Sequence, residues 1–361
     1  MKKILAVLVI AVIFLTPLSG CYKSANVLTI EGYNIYPGLY LYFQLQAIAE
    51  AAEKFDNLIT GKELYAQTID NIPARDWINN RTVGIAREFV FVNREFERLG
   101  LDKQMLDLEM SYYESSMKSE WQQIAYFYMR NGVGYETFYK EYEYLLMSNQ
   151  VFSALYVDEG GELEVPEKEI IDYFSDNYIY LDYITLKKTD EYGLDLDEDI
   201  IEELREEAED MRKVAVQAAS EAAAVYSESE NTGLQAAFDW YLAENSIPED
   251  EAQELREGMV IEQVIVTPNT TGFDAGFLEE LNAAAPNRYQ VYETDSLFYL
   301  YCRRSMLEYN EDSWTDYKSS IVSALRGDEY TIYLAEYSRY LYLSENRGAR
   351  RYFSLNKVFM A

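Results

Sequence analysis

A chain of 361 residues with 49% hydrophobic and 15% aromatic content is long and apolar enough for about two domain cores, so a formal net charge of -32 does not make it a disordered polyanion. A pI near 4.3 argues against nucleic acid as a partner, since a binder must neutralise phosphates with Lys and Arg, and it makes an anionic membrane surface repulsive. The chain has 34 Tyr and no His, and the absence of imidazole excludes Ser/His/Asp and Cys/His nucleophiles, His-ligated zinc and imidazole proton shuttles, leaving carboxylates, Tyr, Ser/Thr, Lys and backbone groups for any chemistry.

Lys2 and Lys3 precede twelve apolar residues, Ile4 to Leu15, and then the tetrad Leu18-Ser19-Gly20-Cys21. As a helix, twelve residues cover about 18 Å, short of a hydrocarbon core of about 30 Å, so residues 1–20 read as a bacterial secretion signal and not a membrane span. The tetrad resembles a lipobox. That implies a diacylglycerol on the Cys21 sulfur, cleavage before it, and an extracytoplasmic, membrane-anchored protein held by its acyl chains against its own charge. Removal of residues 1–20, which carry two Lys and no acidic residue, takes the net charge from -32 to -34. Cys302 then has no intramolecular disulfide partner, and its place in an aromatic run reads as a buried, inert thiol.

Val27 to Tyr36 alternates around Glu31-Gly32, the pattern of a small strand and turn. Four helices are predicted next. The first covers Gly38 to about Phe55. The second runs from Pro73 to Leu99, with Trp77, Ile78, Ile85, Phe89, Val92 and Phe96 on its buried side and Gly100 as its stop. The third covers Asp102 to Arg130, and the fourth, dense in Tyr and Phe, covers Tyr135 to Leu155. Residues 21–157 therefore form a helical domain, and Asp158-Glu159-Gly160-Gly161-Glu162 reads as the linker leaving it.

After Pro166 a short helix, Glu167 to Asp176, leads into Tyr178 to Lys187, whose Ile, Leu, Thr and Tyr content predicts the first strand of a separate α+β domain spanning 166–305. An acidic, Ala-rich helix follows from Asp195 to Ser227, then a helix at Leu234 to Glu244, a strand at Val260 to Val266, a short helix at Phe277 to Ala285 and a strand at Ser296 to Arg303. Residues 313–361 hold a long helix, Trp314 to about Leu343, and a short strand, Tyr352 to Phe359.

This order of elements resembles the extracytoplasmic foldases of the PrsA and SurA type. Three stretches carry the likeness: Val27 to Tyr36; Val165-Pro166-Glu167-Lys168-Glu169-Ile170 with Tyr173-Phe174 and Asn177; and Phe277 to Arg303 with its Pro286-Asn287 turn. The resemblance implies an α+β protein in which a helical chaperone domain, completed by the C-terminal helix, carries an inserted parvulin-like prolyl isomerase domain. It also implies unfolded or newly exported polypeptides as partners. Active parvulins carry a His in the first strand and another in the last, and Tyr183 and Tyr299 stand at those places. The Gly-rich segment and the catalytic Cys or Asp of the family are not recognisable.

Isomerisation needs only that a site favour the twisted amide, so Tyr183 and Tyr299 remain weak catalytic candidates as hydrogen-bond donors, against a role as core tyrosines of a domain without activity. Tyr126, Phe127, Tyr135, Phe138, Tyr139 and Tyr142 read either as core or as a groove that binds client segments through faces joining apolar area to a polar tip.

No cofactor or metal is expected. Asp195, Asp197, Asp199 and Glu206 have EF-hand spacing, but Ile200 stands where the loop needs Gly, and Glu202/Glu206 are two of many helix carboxylates. Arg347, Arg350 and Arg351 read as complements to the C-terminal end of the last helix. The alternatives to a chaperone are an active isomerase and a solute-binding lipoprotein, which would need two α/β lobes where residues 37–156 look helical. The sequence leaves a homodimer open.

Overall fold

Backbone pairing joins the start of the described chain to a segment more than 300 residues later. A computed structural model describes residues 25–55, 59, 61–190, 192–223, 232–304 and 313–359; the secretion signal, Cys21 and residues 224–227 of the acidic helix lie outside them. These residues make an α+β fold in two units. One combines the chain up to Val165 with the chain from Val322, and the other is Pro166–Ile321.

In the first unit, β1 (Leu28–Ile30) and β2 (Tyr33–Ile35) form a hairpin whose turn residues, Glu31 and Gly32, both have positive φ, as a two-residue primed turn requires. The third strand of this sheet comes from the far end of the chain. Leu343–Glu345 pairs antiparallel with β1, and flanking bonds run from Glu31 N to Tyr342 O (3.0 Å) and from Asn346 N to Val27 O (3.0 Å). Against the sheet packs α1 (Pro37–Ala52), with Pro in its first turn, where its missing N–H costs nothing. After α2 (Gly61–Tyr65) and the two-residue strands β3 (Thr68–Ile69) and β4 (Ile72–Pro73) comes α3 (Ala74–Arg98). Leu28, Ile30, Leu39, Phe43, Ile78 and Phe89 are fully or almost fully buried in the main core of this unit.

Gly100 and Gly132, both at positive φ, close α3 and α4 (Lys103–Arg130) in the same way. In each case the glycine N–H and the next N–H bond back to the last turn, Gly100 to Glu97 and Leu101 to Phe96, Gly132 to Met129 and Val133 to Tyr128. The helical hairpin is completed by α5 (Tyr135–Phe152), which runs on through a π-helical turn at Ser153–Val157.

Two C-terminal expectations are corrected. The helix predicted to reach Leu343 is α11 (Lys318–Ser338), because the chain turns at Ser338–Leu341 to supply the third strand, β9 (Leu343–Glu345). The predicted strand at Tyr352 to Phe359 is a short helix, α12 (Arg347–Tyr352), followed by a 3-10 turn at Leu355–Lys357. Asn346 Oδ1 caps α12 by accepting from Ala349 N at 3.1 Å, and buried Ala349 and Leu355 anchor the segment in the main core. Arg347, Arg350 and Arg351 thus lie in this six-residue helix and not at the end of the longer one, and Arg350 pairs with Glu345 at 2.5 Å.

The second unit opens with α6 (Glu167–Asn177) and is built on an antiparallel sheet of order β6-β5-β8-β7, with β5 (Ile179–Lys187) and β8 (Leu297–Arg304) central and β6 (Val260–Val266) and β7 (Arg288–Glu293) at the edges. One face, with Ile184, Leu186, Phe298, Leu300 and Cys302, is covered by α7 (Glu198–Ala223) and α8 (Thr232–Glu244). The other, with Ile179, Leu181, Tyr299 and Tyr301, is covered by α10 (Ala275–Ala283).

Sequence patterning misses β7 and α9 (Glu249–Met259). The helix has no fully buried residue, and its apolar stripe is only Ala252, Leu255 and Met259 among acidic neighbours. The unit extends to Ile321, so the C-terminal part of the first unit starts at Val322 and not at 313. Tyr317, in the 3-10 turn Ser313–Tyr317, stacks on Phe174 and meets Tyr178 edge-on at 5.2 Å.

Glu141 of α5 is buried in the first unit. Its Oε1 accepts from Gln46 Nε2 at 2.9 Å, while Oε2 has no partner. Burial pushes its carboxyl up to about 7, against the opposing Gln46 bond. The folded state therefore holds this proton where the unfolded chain has released it, and stability from this group falls as pH rises from 4.5 to about 7. Glu141→Gln is expected to remove that slope: relative to the parent it gains stability between acidic and neutral pH, read from urea midpoints of both proteins at about pH 5 and about pH 8.

Candidate functional site

Alternation along β5 and β8 puts Tyr183 and Tyr299 on one face, diagonal across the ladder, with ring centroids 5.6 Å apart. The face is not open. Tyr299 is 6% exposed and stacks on Phe277 of α10 at 4.2 Å, Tyr183 is half-buried and meets Phe273 edge-on at 5.9 Å, and Phe273 and Phe277 touch each other. Asp274 Oδ1 caps α10 by accepting from Gly276 N (2.9 Å) and Phe277 N (3.2 Å), which fixes the helix that presents Phe277. Burial pushes both phenols above the usual tyrosine range, with Asp274 adding to the effect at Tyr299. Neither hydroxyl has a hydrogen-bond partner among the described residues. Chemically the pair offers two donors, but both rings are packed against Phe273 or Phe277.

On the opposite sheet face Asp182 and Arg304 form a buried ion pair at 2.6 Å. The acidic stretch with EF-hand spacing becomes the lead-in and first turns of α7, where Glu202 pairs with Arg205.

In the first unit, α4 and α5 pack through Leu106, Met110, Met117, Trp121 and Ile124, a heptad-like seam. The six aromatic candidates divide across it. Phe138 is 4% exposed and belongs to the seam, correcting its assignment to a binding surface: its ring fills the space between Met110, Met117 and Trp121. Tyr135 and Tyr142 are half-buried beside it; Tyr142 donates to Glu120, a bond that pushes its phenol up to about 12. Phe127 is half-buried near Phe359, while Tyr126 and Tyr139 are exposed.

The larger surface lies on the outer side of α4. At about 100° per residue, Met105, Leu108, Ser111, Tyr112, Ser115, Ser119, Gln122, Gln123, Tyr126 and Met129 fall on one arc, and every one is exposed. Between residues 104 and 129 the charges (Asp107, Glu109, Glu114, Lys118, Glu120) all lie outside that arc. The result is a strip about 36 Å long, uncharged from Met105 to Met129 and closed by Arg130, which donates to Tyr126 Oη at 3.0 Å. Its largest side chains are open to solvent: Tyr112 is 83% exposed, Tyr126 72% and Leu108 64%. Sequence reasoning found only Tyr126 here; the signal available was the missing charge at helical period in a strongly acidic chain.

No protein-family model and no curated protein matches the sequence. Among solved structures the chain is similar to the foldase protein PrsA from Lactococcus lactis, at 12% identity over 92% of this chain and 98% of that one with a TM-score of 0.34. It is similar to PrsA from Streptococcus pneumoniae at 11% identity, 82% and 98% coverage and a TM-score of 0.32. It is also similar to a structure from the work on PEB4 and Cj1289, two SurA-like chaperones of Campylobacter jejuni, at 10% identity, 90% and 99% coverage and a TM-score of 0.27.

The phenol pair and its helix make opposite stability predictions. Tyr183→Phe and Tyr299→Phe remove hydroxyls without partners and are expected to change unfolding free energy by less than about 0.5 kcal/mol. Phe277→Ala empties a fully buried ring site and is expected to cost about 3–5 kcal/mol, measured by chemical denaturation.

Proposed function

We propose that the protein is an extracytoplasmic, membrane-anchored chaperone that holds unfolded or newly exported polypeptides. The uncharged outer strip of α4 carries this reading. A monomer rarely leaves large apolar side chains solvent-exposed along a whole helix face. Met and Leu adapt to varied shapes, Tyr adds apolar area with little rotamer entropy, and the interleaved Ser and Gln keep the strip wettable. The acidic remainder of the molecule keeps a bound, aggregation-prone segment in solution and draws basic segments by long-range attraction. Residues 2–21, with their charged start, apolar run and lipobox-like tetrad, support the location. Prolyl isomerisation is the weaker reading, because the phenols that would serve it are packed under Phe273 and Phe277.

The quadruple variant Leu108→Ser, Tyr112→Ser, Tyr126→Ser, Met129→Ser is expected to keep the helical circular dichroism of the parent. It should lose most of the parent's suppression of light scattering by a reduced, denatured model protein. Undiminished suppression by the variant, or none by the parent at stoichiometric excess, would overturn the proposal. For the anchor, Cys21→Ser is expected to move the protein from the membrane fraction to the medium, checked by fractionation.

A further inference from the structure

The sheet of the second unit has an edge that its own strands leave open. β5 pairs with β8 from Tyr180↔Arg304 as far as Lys187↔Leu297, but its pairing with β6 stops at Ile184↔Val260. Beyond that point the chain of β6 has turned into α9: Thr185 still reaches it, its Oγ1 donating to Met259 O at 3.5 Å, and Leu186 and Lys187 carry a neighbouring strand on one side only among the described residues. The vacant side is a cleft of about 670 Å³ between this stretch and α9, floored by Leu186, Leu204, Leu255 and Met259. At its rim stand Lys187 and two carboxylates, Glu251 and Glu254, one helical turn apart on α9. None of these three charges is in an ion pair among the described residues.

We propose that this cleft binds an extended polypeptide segment carrying a basic side chain. The segment adds as a short strand to the edge of β5 beyond Thr185, exchanging main-chain hydrogen bonds with Lys187, while its apolar side chains meet the Leu/Met floor. An unpaired strand edge is a template for such addition, and the pocket beside it supplies selectivity. Two carboxylates against one lysine leave the rim negative, which selects Lys or Arg in the incoming strand over Glu or Asp. This site is distinct from the outer strip of α4 and does not rest on the chaperone reading.

The test uses the full chain and a fluorescein-labelled heptapeptide of sequence VTVKVTV, with binding read by anisotropy. A Cβ on Gly258 meets open space on the cleft side, so Gly258→Trp plugs the cleft without a backbone clash. It is expected to weaken binding about tenfold or more. Glu251→Gln with Glu254→Gln should weaken the Lys peptide several-fold and leave VTVTVTV unchanged. N-methylation of alternate amides on the strand-facing edge should abolish binding. Equal affinity of the Gly258→Trp protein, or of the N-methylated peptide, would overturn the proposal, as would an affinity that falls with protein concentration because a second copy fills the cleft. Aggregation suppression by Gly258→Trp is expected to match the parent, which separates this site from the helix surface.

Discussion

The short ladder between Leu28–Ile30 and Leu343–Glu345 is the constraint on which the first unit depends. A hairpin of two three-residue strands is marginal by itself, and the third strand both widens the sheet and returns the chain end to its beginning. Side chains reinforce the return. Asn131 receives an N–H from Phe359 at 2.7 Å and donates back to its carbonyl at 3.0 Å, and Arg75 donates to Asn356 at 2.8 Å. The main core thus mixes residues from both ends, with Ala349 and Leu355 beside Leu39 and Phe43. Loop-closure entropy grows only slowly with the length of the intervening chain, so a unit of about 150 residues can be carried between the halves at modest cost.

In the second unit the equivalent constraint is that β5 is central and covered on both faces. Alternation assigns Tyr183 and Tyr299 to the α10 side and Asp182 to the α7 side, where its charge is met by Arg304. Burial on both faces turns the strand into a packing element, and the phenols become part of an aromatic cluster held by Phe277. Among the described residues, what carries no neighbouring strand on the β6 side is the end of the strand beyond Thr185, where β6 gives way to helix.

Charge placement separates the two surfaces proposed to bind other chains. The outer strip of α4 is neutral and apolar in a molecule of net charge -32, whereas the cleft beside α9 is small, apolar at its floor and acidic at its rim. The strip is proposed for many unrelated apolar segments, and the cleft for one extended backbone with a cation.

Much of the architecture was legible because it is local. Glu31-Gly32, Pro37, Gly100 and Asn131-Gly132 mark turns and helix ends through φ and hydrogen-bond chemistry that neighbours cannot change, and the period of Ile78, Ile85 and Phe89 marks a buried helix face. The elements that escaped notice have no such local mark. The helix Glu249–Met259 has no fully buried residue, Arg288–Glu293 is a mixed edge strand, and Leu343–Glu345 is a strand only because β1, far away in sequence, needs a partner. The same division runs through the candidate sites. By itself the sequence determined that the chemistry must do without imidazole and that Tyr183 and Tyr299 sit on strands. Only the tertiary structure decided that Phe138 is core while Tyr112 is exposed, that Phe277 covers the phenols, and that β5 ends with one edge free, because burial and pairing are set by what packs alongside and a residue's type does not name its neighbour.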